Sequence, residues 1–152
     1  MSKIFEDKFS ELQADMVSIC LEYVENRAEK IFIYCSFEAK VISSDFFYCI
    51  NGEIIMRHKL NNAIDNTQEL QYDTSVERQR GVLSVLNNNI KEMIDLCEEY
   101  NREMPSEIKL IYNVVNNSLK ADYKYGIVYS NHPDKVANNI SMEWFEEMKS
   151  DL

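Results

Sequence analysis

Over residues 3–28 apolar side chains recur every three or four positions, at Phe5, Phe9, Leu12, Met16, Ile19, Cys20, Tyr23 and Val24. That spacing places them on one face of a long helix. Glu6, Asp7, Glu11, Asp15, Glu22 and Glu25 fall on the other faces, so the helix has an acidic exterior. From Lys30 the period drops to two. Ile31, Ile33, Cys35 and Phe37 take one side of a strand and Phe32, Tyr34 and Ser36 the other. A second strand is predicted over 45–50 and a third over 53–60, joined by Asn51-Gly52, a pair that accepts the positive φ angles of a two-residue hairpin. Residues 61–73 are polar and without a period, and read as a surface loop.

A second helix follows, with Thr74 or Ser75 as its cap and an apolar stripe at Leu83, Leu86, Ile90, Met93, Ile94 and Cys97. Asn87-Asn88-Asn89 has poor helical propensity, so packing must hold that turn in place. Pro105 closes the element. Two more strands, 108–115 and 119–128, flank a tight turn at Asn116-Asn117. After Tyr129-Ser130-Asn131-His132-Pro133-Asp134 comes a last amphipathic helix carrying Ile140, Trp144, Phe145 and Met148, with Trp144 expected to dock it on the sheet. The order α-β-β-β-α-β-β-α predicts an α+β fold in a single domain, 1–152: an antiparallel sheet with helices packed on it, over one face or at its ends.

Composition narrows the class. A chain of 152 residues can bury roughly 70% of its unfolded surface without metal or disulfide support. The four cysteines, Cys20, Cys35, Cys49 and Cys97, stand far apart inside apolar elements, the distribution of reduced core thiols. Neither His58 nor His132 lies near a cysteine, so no metal site and no cofactor is expected. The sequence contains no G-x-S-x-G, H-E-x-x-H, Walker or dinucleotide-binding pattern, which predicts a protein that is not an enzyme. The acidic N-terminus lacks the basic-then-apolar build of a signal peptide, and no run approaches the ~20 apolar residues of a membrane span, so a cytoplasmic location is predicted.

The formal net charge of -10 disfavours direct nucleic-acid binding, which depends on neutralising phosphates, and favours attraction to a basic partner. In the last strand Ala121, Tyr123, Tyr125 and Ile127 alternate with Lys120, Asp122, Lys124 and Gly126, giving one aromatic and one polar face. Tyr123 and Tyr125, beside Asp122, are candidate interface anchors. In the last helix Glu143 and Glu147 share a face at i and i+4, a mildly unfavourable arrangement that suits a partner surface and a solvated helix equally.

The C-terminal hairpin, Asn-x-Pro-Asp turn and tryptophan-bearing acidic helix together resemble the YezG-like immunity family, antitoxins that neutralise nuclease toxins. The resemblance is sharpest over 120–148, at Asp122 and Tyr123, at Asn131, Pro133 and Asp134, and at Trp144. It departs near the first strand, where Glu29-Lys30-Ile31 replaces a tryptophan-containing approach. It implies a cytoplasmic, non-catalytic inhibitor that binds a basic nuclease toxin domain. Joined with the charge pattern, it makes Asp122, Tyr123, Tyr125, Asp134, Glu143, Glu146 and Glu147 the candidate toxin-binding residues. The alternative is an acidic secretion-system chaperone, a dimer that wraps an effector segment. Open strand edges leave homodimer formation undecided, because Lys120 and Lys124 could equally guard an edge.

Overall fold

The computed structural model describes residues 2–64, 71–128 and 137–151. Its elements are α1 (Ser2–Tyr23), β1 (Lys30–Glu38), β2 (Val41–Ile50), β3 (Glu53–Met56), a 3-10 segment (Arg57–Ala63), α2 (Val76–Glu99), β4 (Glu107–Asn113), β5 (Ser118–Lys124) and α3 (Ala137–Ser150). The strands form one antiparallel sheet in the order β3-β2-β1-β4-β5, so the fold is α+β as the sequence predicts.

The central strand explains the layering. Ile31 to Ser36 are all buried, so both faces of β1 require cover. On one face Ile31, Ile33, Cys35, Phe46, Tyr48, Ile108 and Leu110 meet the apolar stripes of α1 and α2. On the other, Phe32, Tyr34, Phe47, Cys49 and Ile54 meet Trp144 and Phe145 of α3. Helices therefore cover both faces, not one face or the ends. Trp144 docks α3 as expected, its ring 5.1 Å from Phe47 and 5.8 Å from Phe32. The α1 and α2 helices run antiparallel: Phe5 meets Tyr100 at 5.6 Å, while Arg78 reaches the carbonyl of Glu22 at 3.4 Å.

Several boundaries differ from the sequence reading for identifiable reasons. The α1 helix stops at Tyr23 because Glu25 turns left-handed (φ 54) and Asn26 N–H reaches back to Leu21 O at 3.0 Å, a C-terminal cap made without glycine. The second strand starts at Val41, four residues earlier, after a turn in which Ala39 (φ 52) and Lys40 (φ 63) adopt positive angles. The third strand ends at Met56 and the chain coils through Arg57–Ala63, placing Arg57 against Asp45. The β4–β5 connection spans four residues, since Asn113 pairs with Ser118, and β5 ends at Lys124.

Other expectations hold. Asn51 (φ 52) and Gly52 (φ 77) make the predicted turn, and Glu29 braces it by accepting both backbone amides at 2.7 and 2.8 Å. Ser75 caps α2 by accepting from Arg78 N. The asparagine run is held by tertiary bonds: Ser44 lies 2.7 Å from Asn87 Oδ1, and Asn89 Nδ2 donates to Asp15 at 3.0 Å. All four cysteines are free and buried.

That burial gives the fold a predicted alkaline limit. Burial pushes Cys35 from 9.0 to about 12 and Tyr23 from 10.0 to about 12. It also raises Cys20 and Tyr48, whose hydroxyl donates to Cys20 O at 2.6 Å. A folded-state pKa above the unfolded value means that the unfolded chain loses its protons first as pH rises. The stability these groups contribute is complete below about pH 9 and is lost towards pH 12. Thermal melts followed by circular dichroism should show a flat midpoint up to about pH 9 and a fall above it, with the tyrosinate absorbance of the buried tyrosines rising in step with unfolding. Normal titration of every tyrosine in a still-folded protein would contradict the buried network.

Candidate functional site

Two depressions flank the N-terminal half of α1. The first is an open cleft of about 400 Å³ lined by Phe5, Phe9, Cys97, Pro105, Tyr123 and Tyr125, with Glu6, Ser10, Arg102 and Glu103 also on its walls. Its aromatic side is preorganised. Phe5 stacks on Phe9 at 5.5 Å, Phe9 meets Tyr123 edge-on at 6.1 Å, and Gln13 Nε2 donates to the Tyr123 hydroxyl at 2.6 Å. Arg102 lies over the Phe5 ring at 4.3 Å. Tyr125 remains 53% exposed at the mouth, and its hydroxyl pKa is raised, first by burial and then by neighbouring Tyr123, Cys97 and Glu103. A rigid aromatic floor with a protruding tyrosine is the arrangement in which a partner side chain can be desolvated.

The second depression is the outer groove between α1 and α2. Five carboxylates, Glu11, Asp15, Glu92, Asp95 and Glu99, line it with Lys8, Leu12, Asn89 and Leu96. The acidic exterior of α1 is visible in its sequence. Its convergence with Glu92, Asp95 and Glu99 arises only when the antiparallel helix pair brings residues some 80 positions apart together. Among the described residues no group of three or more His, Cys, Asp or Glu is arranged to hold a metal. Among the same residues no helix is long and apolar enough to cross a membrane.

The residues singled out in the sequence fall into separate places. Tyr123 and Tyr125 meet in the aromatic cleft. Asp122 points to the opposite face of the sheet, opposite Lys109 of β4, whose ammonium lies over Trp144 at 5.5 Å. Glu143, Glu146 and Glu147 are exposed on α3. That helix packs on β2 and β3, and three strand spacings separate β2 from β5, about 14 Å. Asp134 lies outside the described residues, as do the other residues of the predicted Asn-x-Pro-Asp turn. Phe5, Phe9 and Pro105 are among the cleft residues that the sequence did not single out. The first two belong to a core stripe by spacing, and nothing local marks that the end of this stripe faces β5.

No family model and no curated protein matches the chain.

Two carboxylates on the α3 side are structural. Glu107, buried at the start of β4, accepts the Tyr34 hydroxyl at 3.0 Å and lies 3.7 Å from Lys124 and 4.0 Å from Lys109. Asp45 accepts its neighbour's amide, Phe46 N, at 2.8 Å and the Ser141 hydroxyl at 2.9 Å, and forms a salt bridge with Arg57. Those bonds tie β2, the 3-10 segment and α3 together beside a small hollow that His58 also lines. In that arrangement Ser141 donates its proton to a carboxylate already paired with arginine, a fixing contact and not that of an activated nucleophile.

Proposed function

We propose that this protein is a cytoplasmic, non-catalytic immunity protein that captures and inhibits a basic protein domain, a nuclease toxin. The observation that carries the reading is the pairing of an aromatic cleft with an acidic groove on either side of one helix end. Interfaces bind through a few desolvated aromatic anchors, while surrounding charge sets encounter rate and partner choice. Nuclease domains are basic because they hold phosphate, and they complement such a surface. Resemblance of the C-terminal half to YezG-like immunity proteins gives the same partner class. The buried cysteines, with pKa values raised by desolvation, argue against thiolate catalysis. The exposed apolar row along β5 and just beyond it, at Leu119, Tyr123 and Tyr125, gives the chaperone alternative one observation of its own.

The test is co-expression with the toxin domain encoded beside it, followed by binding kinetics on the purified pair. Protection of the cell and tight binding are expected. Tyr125→Ala should speed dissociation about tenfold or more. Reversing Glu11 and Asp95 to lysine should slow association, more at low salt than at high. Glu146→Lys with Glu147→Lys is the comparator, and slowing by that pair alone would move the interface to α3. Failure both to protect and to bind would sink the immunity reading, and binding only an extended effector segment would replace it with the chaperone.

A further inference from the structure

The outer edge of β5 is self-complementary. Val114 N–H donates to Glu29 O at 2.9 Å, so the polar groups of Val114 point towards β1. Backbone groups of successive strand residues point to opposite edges, so those of Asn113, Ile111, Lys109 and Glu107 point towards β5. Their register partners Ser118, Lys120, Asp122 and Lys124 are thereby turned inward, and Lys124 O accepts from Ser106 N at 2.8 Å. The amides and carbonyls of Leu119, Ala121 and Tyr123 are left on the outside, where no strand among the described residues pairs with them. Over residues 125–128 the chain does not return along this edge. Val128 N instead donates to Glu38 at the end of β1, two strands inward, at 2.8 Å.

We infer that two copies of the chain pair through β5, antiparallel about Ala121, into one continuous sheet. Ala121 is the midpoint of Ser118–Lys124, so this register overlaps the whole strand. It sets Lys120 against Asp122 of the second copy, and by symmetry Asp122 against Lys120. On the face towards α1 and α2 it sets Leu119, 40% exposed, against Tyr123, 41% exposed, again twice. The outward groups of Leu119, Ala121 and Tyr123 are the ones such a pair would join. Moving the two-fold axis by one residue loses the match. Centred on Lys120, two lysines oppose each other. Centred on Asp122, two aspartates oppose each other and Lys120 meets Lys124. Hydrogen-bond phase permits this register, and charge and overlap select it over its neighbours, giving an isologous contact that needs no groove or partner beyond a second copy. This inference does not rest on the toxin-binding reading, and Tyr123 belongs to both surfaces.

Sedimentation velocity and light scattering of the purified chain at physiological salt, which screens the mutual repulsion of two acidic bodies, test it. A concentration-dependent monomer–dimer equilibrium is expected. Ala121→Pro removes an outward amide without touching the β4–β5 ladder, and should give a folded monomer by circular dichroism. Lys120→Asp or Asp122→Lys alone turns two attractive cross-strand pairs into two repulsive ones and should weaken dimerisation about tenfold. The double exchange Lys120→Asp with Asp122→Lys should restore it to within about twofold, because the pairs are re-formed with their signs swapped. A wild-type chain monomeric to about 100 μM, far above the range of specific dimers, overturns the proposal. So does a dimer indifferent to the single charge changes, or one that the double exchange fails to rescue.

Discussion

Trp144→Ala is expected to destabilise the protein by about 3–5 kcal/mol, the range for deleting a fully enclosed large aromatic. Trp144 is 3% exposed and is the centre of the second core, with Phe47 at 5.1 Å, Phe32 at 5.8 Å, Tyr34 at 6.3 Å and the Lys109 ammonium over its ring. Its ring thus meets side chains of β1, β2 and β4, and Phe145, at 5.2 Å from Phe47, cannot fill that space alone. The loss should fall first on α3. Hydrogen exchange in Ala137–Ser150 should accelerate before exchange in β1 does. Urea unfolding followed by circular dichroism measures the total, and since Trp144 is the single tryptophan, fluorescence reports α3 docking in the wild type. Trp144→Phe should recover more than half of the loss. A change below about 1 kcal/mol would mean that α3 contributes little to the folded state.

Asp45→Ala should cost about 2–3 kcal/mol, more than removing its partner does. Its carboxylate is shared among Arg57, Ser141 and the amide of Phe46, and the Asp45 and Arg57 side chains are only 19% and 25% exposed. Without Asp45 the guanidinium stays over the Phe46 ring at 5.2 Å, with Gln79 as its remaining side-chain acceptor among the described residues at 3.1 Å. A half-buried cation so stranded is the costly case. Arg57→Met removes the charge and keeps the stem, and should cost visibly less. Ser141→Ala removes one bond and should cost about 1 kcal/mol. Equal losses for Asp45→Ala and Arg57→Met in chemical denaturation would show that burial of the cation is not the controlling quantity.

The fold was legible wherever local chemistry and tertiary demand agree. Asn51-Gly52 announces its turn because few other residues tolerate both backbone angles. The turn at Ala39-Lys40 has the same geometry without the signal, held by the nine-residue register between β1 and β2, so the start of β2 was hidden. Two-sided cover was present in the run Ile31, Phe32, Ile33, Tyr34, since a half-exposed strand would alternate apolar with polar. The site divides the same way. Tyr123 and Tyr125 stand out as aromatics on a strand otherwise rich in charge. Phe9 looks like any other position of an amphipathic stripe, and only the placement of α1 beside β5 makes it a wall of the cleft.

The position of β1 also sets the order in which the chain can fold. Its first neighbour, β2, follows after a two-residue turn, whereas its second pairs Lys30 with Asn113 across most of the sequence. During synthesis at about 5–20 residues per second, β1 waits roughly 4–15 s between its own emergence and that of β4. For that interval its outer edge is an unpaired, strongly apolar strand, and closing a separation of this length is entropically slow. Refolding should therefore be limited by β1–β4 closure. Nascent chains halted before Glu107 should be the species that chaperones hold and proteases cut.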